Sequence, residues 1–192
     1  MRILLELFCV VALGLLLAGG LSWYSIQNNH GFGALNVGVW TAWPQVGNVN
    51  SDPYTIAKVA VDGTVPLGAA EGLAFHARQD ETGERLKREC RYRLTGNTPP
   101  ARLWTLSAND ENGSAVTNRE SRPSSVFSQN LIRVADGSFD IHAGPIVEAG
   151  NWLSVTGEGP YDLVLRLYDT PLTANAGLVE PIMPRIVPLG CP

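Results

Sequence analysis

The stretch Tyr161-Asp162-Leu163-Val164-Leu165-Arg166-Leu167-Tyr168 decides the fold. Side chains along an extended chain alternate between two faces, so Tyr161, Leu163, Leu165 and Leu167 share one of them. This pattern predicts a central strand with that face on the core. The same period appears upstream, where Leu73, Phe75 and Ala77 alternate with His76 and Arg78. A polar turn, Gln79-Asp80-Glu81-Thr82-Gly83, then leads into a second alternating run from Arg85, the pattern of a hairpin. Residues 103–108 alternate before Asn109-Asp110-Glu111-Asn112-Gly113, and Ala135-Asp136-Gly137-Ser138 joins residues 131–134 to Phe139, Ile141 and Ala143. Asp-Gly between alternating runs is a strong hairpin signal. Residues 180–192 carry four prolines and are expected along a sheet edge. These segments predict a mainly β chain, an antiparallel, jelly-roll-like β-sandwich over residues 71–192.

Toward the N-terminus the signals change. Ser51-Asp52-Pro53 offers a capping residue and a proline for a first helical turn, and Gly63 offers a stop, so one short helix is expected within residues 51–70. Residues 26–50 carry no Lys, Arg, Asp or Glu and are expected to be an extended lead-in. Its tryptophans Trp40 and Trp43 fit either packing across an open edge of the following domain or a ligand platform. Residues 7–24 form an uncharged run of 18, which as a helix spans about 27 Å and can cross a bilayer. Residues 1–25 therefore read as a single transmembrane anchor, touching lipid through residues 3–24, or as a signal segment cut after Gly20. Arg2 precedes the run and the next charge is Asp52, which places the N-terminus in the cytoplasm and the domain in a bacterial periplasm.

Composition narrows the function classes. Fourteen Lys and Arg against 18 Asp and Glu give a formal charge of −4, without the basic excess that nucleic-acid binding needs. An apolar fraction of 45% exceeds what a disordered chain carries. Cys9 lies in the apolar run, leaving Cys90 and Cys191 to pair in an oxidising compartment. Closing a loop of about 100 residues stabilises by up to roughly 4.7 kcal/mol in the chain-entropy model.

Catalytic signatures are missing: no Gly-x-Ser-x-Gly elbow, His-Glu-x-x-His, Walker loop, Cys-x-x-Cys or dinucleotide fingerprint occurs. No catalytic residue, metal or cofactor is assigned. His30, His76 and His142 are scattered, and the 109–113 segment lacks the spaced carboxylates of an EF-hand loop. Arg85, Lys87, Arg91 and Arg93 fall on one face of the second alternating run, a basic stripe suited either to solvent or to an anionic glycan or partner surface. The expected function is a binding or structural module of the cell envelope without its own catalysis. The alternative is a polysaccharide hydrolase or lyase, which would draw on Asp140, Glu148, Glu158 and Asp162 with Arg133 or Arg166. Trp104 and Trp152 are assigned to the core.

Five segments together resemble a known family: Cys90-Arg91-Tyr92-Arg93-Leu94, the run from Pro99-Pro100 to Leu106, Asp136-Gly137-Ser138, Gly150-Asn151-Trp152-Leu153, and the run from Leu163 to Asp169-Thr170-Pro171. The chain is similar there to the domain of unknown function 1214 family. Asp52-Pro53-Tyr54 and the segment from Pro66 to Gly72 resemble the lead-in of its short, membrane-anchored bacterial members. The resemblance implies a jelly-roll-like sandwich in the envelope and supplies no catalytic residues.

Overall fold

The computed structural model describes residues 2–28, 33–48, 51–62, 66–68, 70–111, 113–116, 122–173 and 181–191. Helix α1 runs Arg2–Asn28, followed by strands β1 (Leu35–Val37) and β2 (Trp40–Ala42) and helix α2 (Pro53–Asp62). Then come β3 (Gly72–Ala77), β4 (Arg91–Gly96), β5 (Leu103–Asn109), β6 (Ser125–Phe127), β7 (Phe139–Gly144), β8 (Asn151–Ser154), β9 (Asp162–Tyr168) and β10 (Arg185–Gly190). Two sheets form: β1-β2-β3-β9-β5-β6 and β10-β4-β7-β8.

β9 lies between β3 and β5, as its alternation predicts. Leu163, Leu165 and Leu167 turn inward to meet Phe75 and Leu106 of their own sheet and Leu94, Ile141 and Ile186 of the other in one continuous core. Gly72 permits this pairing, because a Cβ there would sit 1.9 Å from the carbonyl oxygen of Leu167. β10 forms the edge of the smaller sheet, where its Pro188 is tolerated. Cys90 and Cys191 form a disulfide across 101 residues, which fastens the chain end beside β4.

Helix α2 starts where the sequence places it. The Asp52 carboxylate accepts from the backbone N–H of Tyr54 and of Thr55, both at 3.0 Å, and from the Thr55 hydroxyl. That last bond holds the Asp52 carboxyl below its ordinary range. Gly63 and His30 lie outside the described residues.

Four expectations need correction. Residues 26–50 are not only a connector: β1 and β2 belong to the larger sheet, with Val37, Trp40 and Ala42 in the core. Residues 85–90 are not one regular strand, because Arg85 and Lys87 make isolated bridges to Gln79 and Pro160, and a turn from Lys87 to Cys90 interrupts the run. The Asp136-Gly137 turn forms, with the Val134 N–H bonded to the Ser138 carbonyl at 2.8 Å, but residues 131–134 are not a strand. β7 has no free edge to offer them, since β4 occupies one side and β8 the other. Finally, β8 joins β7 in parallel, unlike every other strand pair described.

A buried hydroxyl sits inside this core. Tyr161 is fully buried, packs edge-on to Tyr92 at 6.2 Å, and among the described residues its hydroxyl has no hydrogen-bond partner, whereas that of Tyr92 accepts from the Lys87 N–H at 3.0 Å. Burial pushes the Tyr161 hydroxyl well above the usual phenol range. In urea denaturation Tyr161→Phe should leave stability unchanged or raise it by up to about 1 kcal/mol, since it removes an unpaired polar atom. A loss beyond about 1 kcal/mol would contradict this. Reducing the Cys90–Cys191 bond should cost about 2–4 kcal/mol in the same assay, and an unchanged midpoint would show that the bridge constrains nothing.

Candidate functional site

The outward residues of β9 define the candidate site. While its leucines join the core, Asp162, Val164 and Arg166 alternate to the other face, where Val164 is buried, Asp162 nearly so and Arg166 half-buried. Antiparallel register aligns neighbouring strands with each: Ala74 and Thr105 flank Arg166, His76 and Ser107 flank Val164, and Asn109 pairs with Asp162. Phe127 of β6 stands beside Thr105, and Trp43, one step past the pairing of Ala42 with Phe75, continues the row beyond Ala74. The outer face thus carries a row Trp43, Ala74, Arg166, Thr105, Phe127. It spans four strand intervals, about 19 Å.

At one end of this face Asp162, only 7% exposed, accepts from Arg78 Nε at 2.9 Å, while Arg85 Nη2 lies 3.3 Å from its other oxygen. Arg85 also reaches Glu111 at 3.4 Å. Two guanidiniums thus compensate a carboxylate that would be costly to bury alone. Arg166, about 13 Å farther along the strand, has a different environment. Its Nη1 donates to the Ser107 hydroxyl at 2.9 Å, and among the described residues no carboxylate lies within ion-pair distance.

The polar groups here do not form a nucleophile and base. The Ser107 hydroxyl donates to the Asn109 side-chain oxygen at 3.2 Å, and Asn109 in turn donates to the Gly113 carbonyl at 2.8 Å. His76 stands two strands from Ser107, with Val164 between, and its ring lies 5.7 Å from that of Trp43. A hydroxyl bonded to an amide, about 10 Å from the imidazole strand, is not activated for attack. Among the described residues no group of three His, Cys, Asp or Glu converges as a metal site.

The sequence-derived candidates are dispersed. Trp40 is 1% exposed and donates its indole N–H to the Pro184 carbonyl at 2.8 Å, so it is a core residue and not a ligand platform. Of the basic stripe, Arg85 belongs to the Asp162 cluster and Arg91 pairs with Glu148 at 3.2 Å. Lys87 and Arg93 are exposed, Arg93 on the outer face of the smaller sheet in register with His142. Asp140 lies on that sheet too, whereas Asp162 and Arg166 lie on the larger one, so the supposed acid–base residues do not converge. Arg133 donates to the Gly137 carbonyl at 2.8 Å and covers the Phe139 ring, and Glu158 is exposed. Trp104 is in the core, but Trp152 is half-buried on the outer face of β8 and donates to the Gly144 carbonyl at 3.2 Å. The Arg166 row escaped sequence reading because its members come from five separate segments.

Other residues of the segments that carry the family resemblance tie the scaffold together. Asn151 accepts from the Ile132 N–H and donates to the Ile132 and Asp140 carbonyls, clamping residue 132 onto β7. Thr170 donates to the Pro100 carbonyl at 2.7 Å, locking the end of β9 to the turn before β5. Cys90 makes the disulfide.

The VPA0106 protein from Vibrio parahaemolyticus, a solved structure, is similar in fold, with a TM-score of 0.58 and 17% identity over 73% of this chain and 36% of that protein. This chain thus spans about a third of its length. An uncharacterized protein from Burkholderia cenocepacia aligns with a TM-score of 0.41 and 17% identity, over 62% of this chain and 29% of that one. No curated protein matches the sequence. The model of a family of unknown function, DUF1214, matches residues 71–172, the span from the start of β3 to just past β9. That match covers more than half of the sequence, and the chain belongs to the DUF1214 family.

Proposed function

We propose that the chain is a non-enzymatic envelope module that binds an anionic glycan across the outer face of its larger sheet. It is held in the bacterial inner membrane by residues 3–24, with its N-terminus in the cytoplasm and the sandwich in the periplasm. Location is supported by a helix long and apolar enough to cross a membrane, none of whose most apolar window is buried, and by a disulfide that an oxidising compartment would maintain.

The binding half rests on one observation, the half-buried Arg166 guanidinium whose partner is a neutral hydroxyl. A guanidinium is suited to bidentate pairing with a carboxylate. On either side the row offers Thr105 and the small Ala74, then Phe127 and Trp43, whose rings are suited to the apolar faces of sugars. Asp162 is committed to two arginines, which argues against a general acid or base there.

The test uses the full chain in detergent micelles, with polygalacturonate as the anionic glycan and dextran as the neutral control. Wild type should retain polygalacturonate and not dextran. Arg166→Ala should weaken retention about ten- to hundredfold, the loss of one charge-assisted hydrogen bond of roughly 1.5–3 kcal/mol, with an unchanged thermal midpoint. Lys87→Ala and Arg93→Ala should bind as wild type. Equal retention by Arg166→Ala, or loss confined to the Lys87 and Arg93 variants, would overturn the assignment.

A further inference from the structure

Helix α2 is inside out for a helix surrounded by water. Among the described side chains Thr55 is its buried residue, at 4% exposure, while Ile56 and Val61 are each 54% exposed and Tyr54 is 39% exposed. At 100° per residue, Ile56, Ala60, Pro53, Ala57, Val61 and Tyr54 fall in that order around an arc of about 160°. Each is exposed except Ala57, which is partly so, and none carries a charge. A solvated helix places such an arc on its domain. Here the residue turned inward is Thr55, whose hydroxyl is bonded to the capping Asp52.

The neighbour of α2 identifies what covers the arc. α2 packs against α1, whose surface from Arg2 to Ser25 is apolar and exposed throughout its most hydrophobic window. The exposed apolar surface of α1 therefore continues onto α2, and Trp23 and Tyr24, aromatic residues of the kind enriched at headgroup level, occupy the part of α1 near its C-terminal end.

We propose that α2 is an interfacial helix lying in the outer headgroup region of the bilayer that α1 crosses, with Pro53, Ile56, Ala60 and Val61 directed into lipid. The proposal rests on the membrane-anchored reading of α1 and adds a second lipid contact, which would limit tumbling of the sandwich about a single-helix tether. Interfacial helices bury their apolar faces about 5–10 Å into the headgroup and acyl boundary.

The experiment is depth measurement by spin label on the full chain, reconstituted in vesicles of phosphatidylethanolamine and phosphatidylglycerol at three to one. One sample carries a nitroxide on native Cys9. Others carry it on Ile56→Cys, Ala60→Cys or, as a water-exposed control, Ser114→Cys, each in a Cys9→Ser background. Labels at 56 and 60 should collide several-fold more with oxygen than with a water-soluble nickel chelate, and the label at 114 should show the reverse. If 56 and 60 behave like 114 while the Cys9 label remains deep, the proposal fails and the anchor stands. If the Cys9 label is also reached by nickel, the anchor reading itself fails, and this proposal with it. Spin–spin broadening between labels at 56 would place a second copy of the chain on the arc and also overturn the proposal. Should Ile56→Cys fail to fold, Val61→Cys repeats the measurement on the same arc.

Discussion

Everything in the sandwich depends on the two-residue period of β9 at the centre of the larger sheet. Its inward leucines touch both sheets and form the middle of the core, while its outward residues, Asp162, Val164 and Arg166, form the middle of the opposite face. A one-residue slip in pairing would exchange the two sets and bury both charges. Pairing with β3 and β5 on both sides, and the close passage at Gly72, hold that register. Core and candidate site are therefore two faces of one strand.

What could be read in the sequence was local. Alternation revealed β3, β5 and β9, the Asp52-Pro53 pair announced α2, and four prolines placed the C-terminal strand at an edge. What could not be read depended on distant partners. Residues 131–134 have hairpin composition, yet β4 and β8 already flank β7, so the Asp136-Gly137 turn closes without a strand before it. The Arg85 run alternates well, but local turn formation at Lys87 to Cys90 interrupts it and divides its charges among Asp162, Glu111 and Glu148. Trp40 illustrates the limit most clearly, because only the fold shows its indole bonded to Pro184, 144 residues away.

Within the span matched by the family, Cys90, Asn151 and Thr170 tie strands and turns together. The half-buried Arg166 is also inside the matched span, but two flanking members of its row, Trp43 and Phe127, come from the lead-in and from an edge strand. A shared scaffold with a surface assembled from its margins is one way a single fold serves different ligands, and fold alone does not choose among them.

The central claim is that this face belongs to a domain anchored outside the cytoplasm. The most direct measurement isolates membranes containing the C-terminally tagged full chain and combines carbonate extraction, intact mass and protease access from the periplasmic side. The account predicts a carbonate-resistant protein whose mass retains residues 1–20 and whose sandwich is digested only from outside the cytoplasm. A soluble product cut after Gly20, or a domain reached by protease only from the cytoplasmic side, would contradict it.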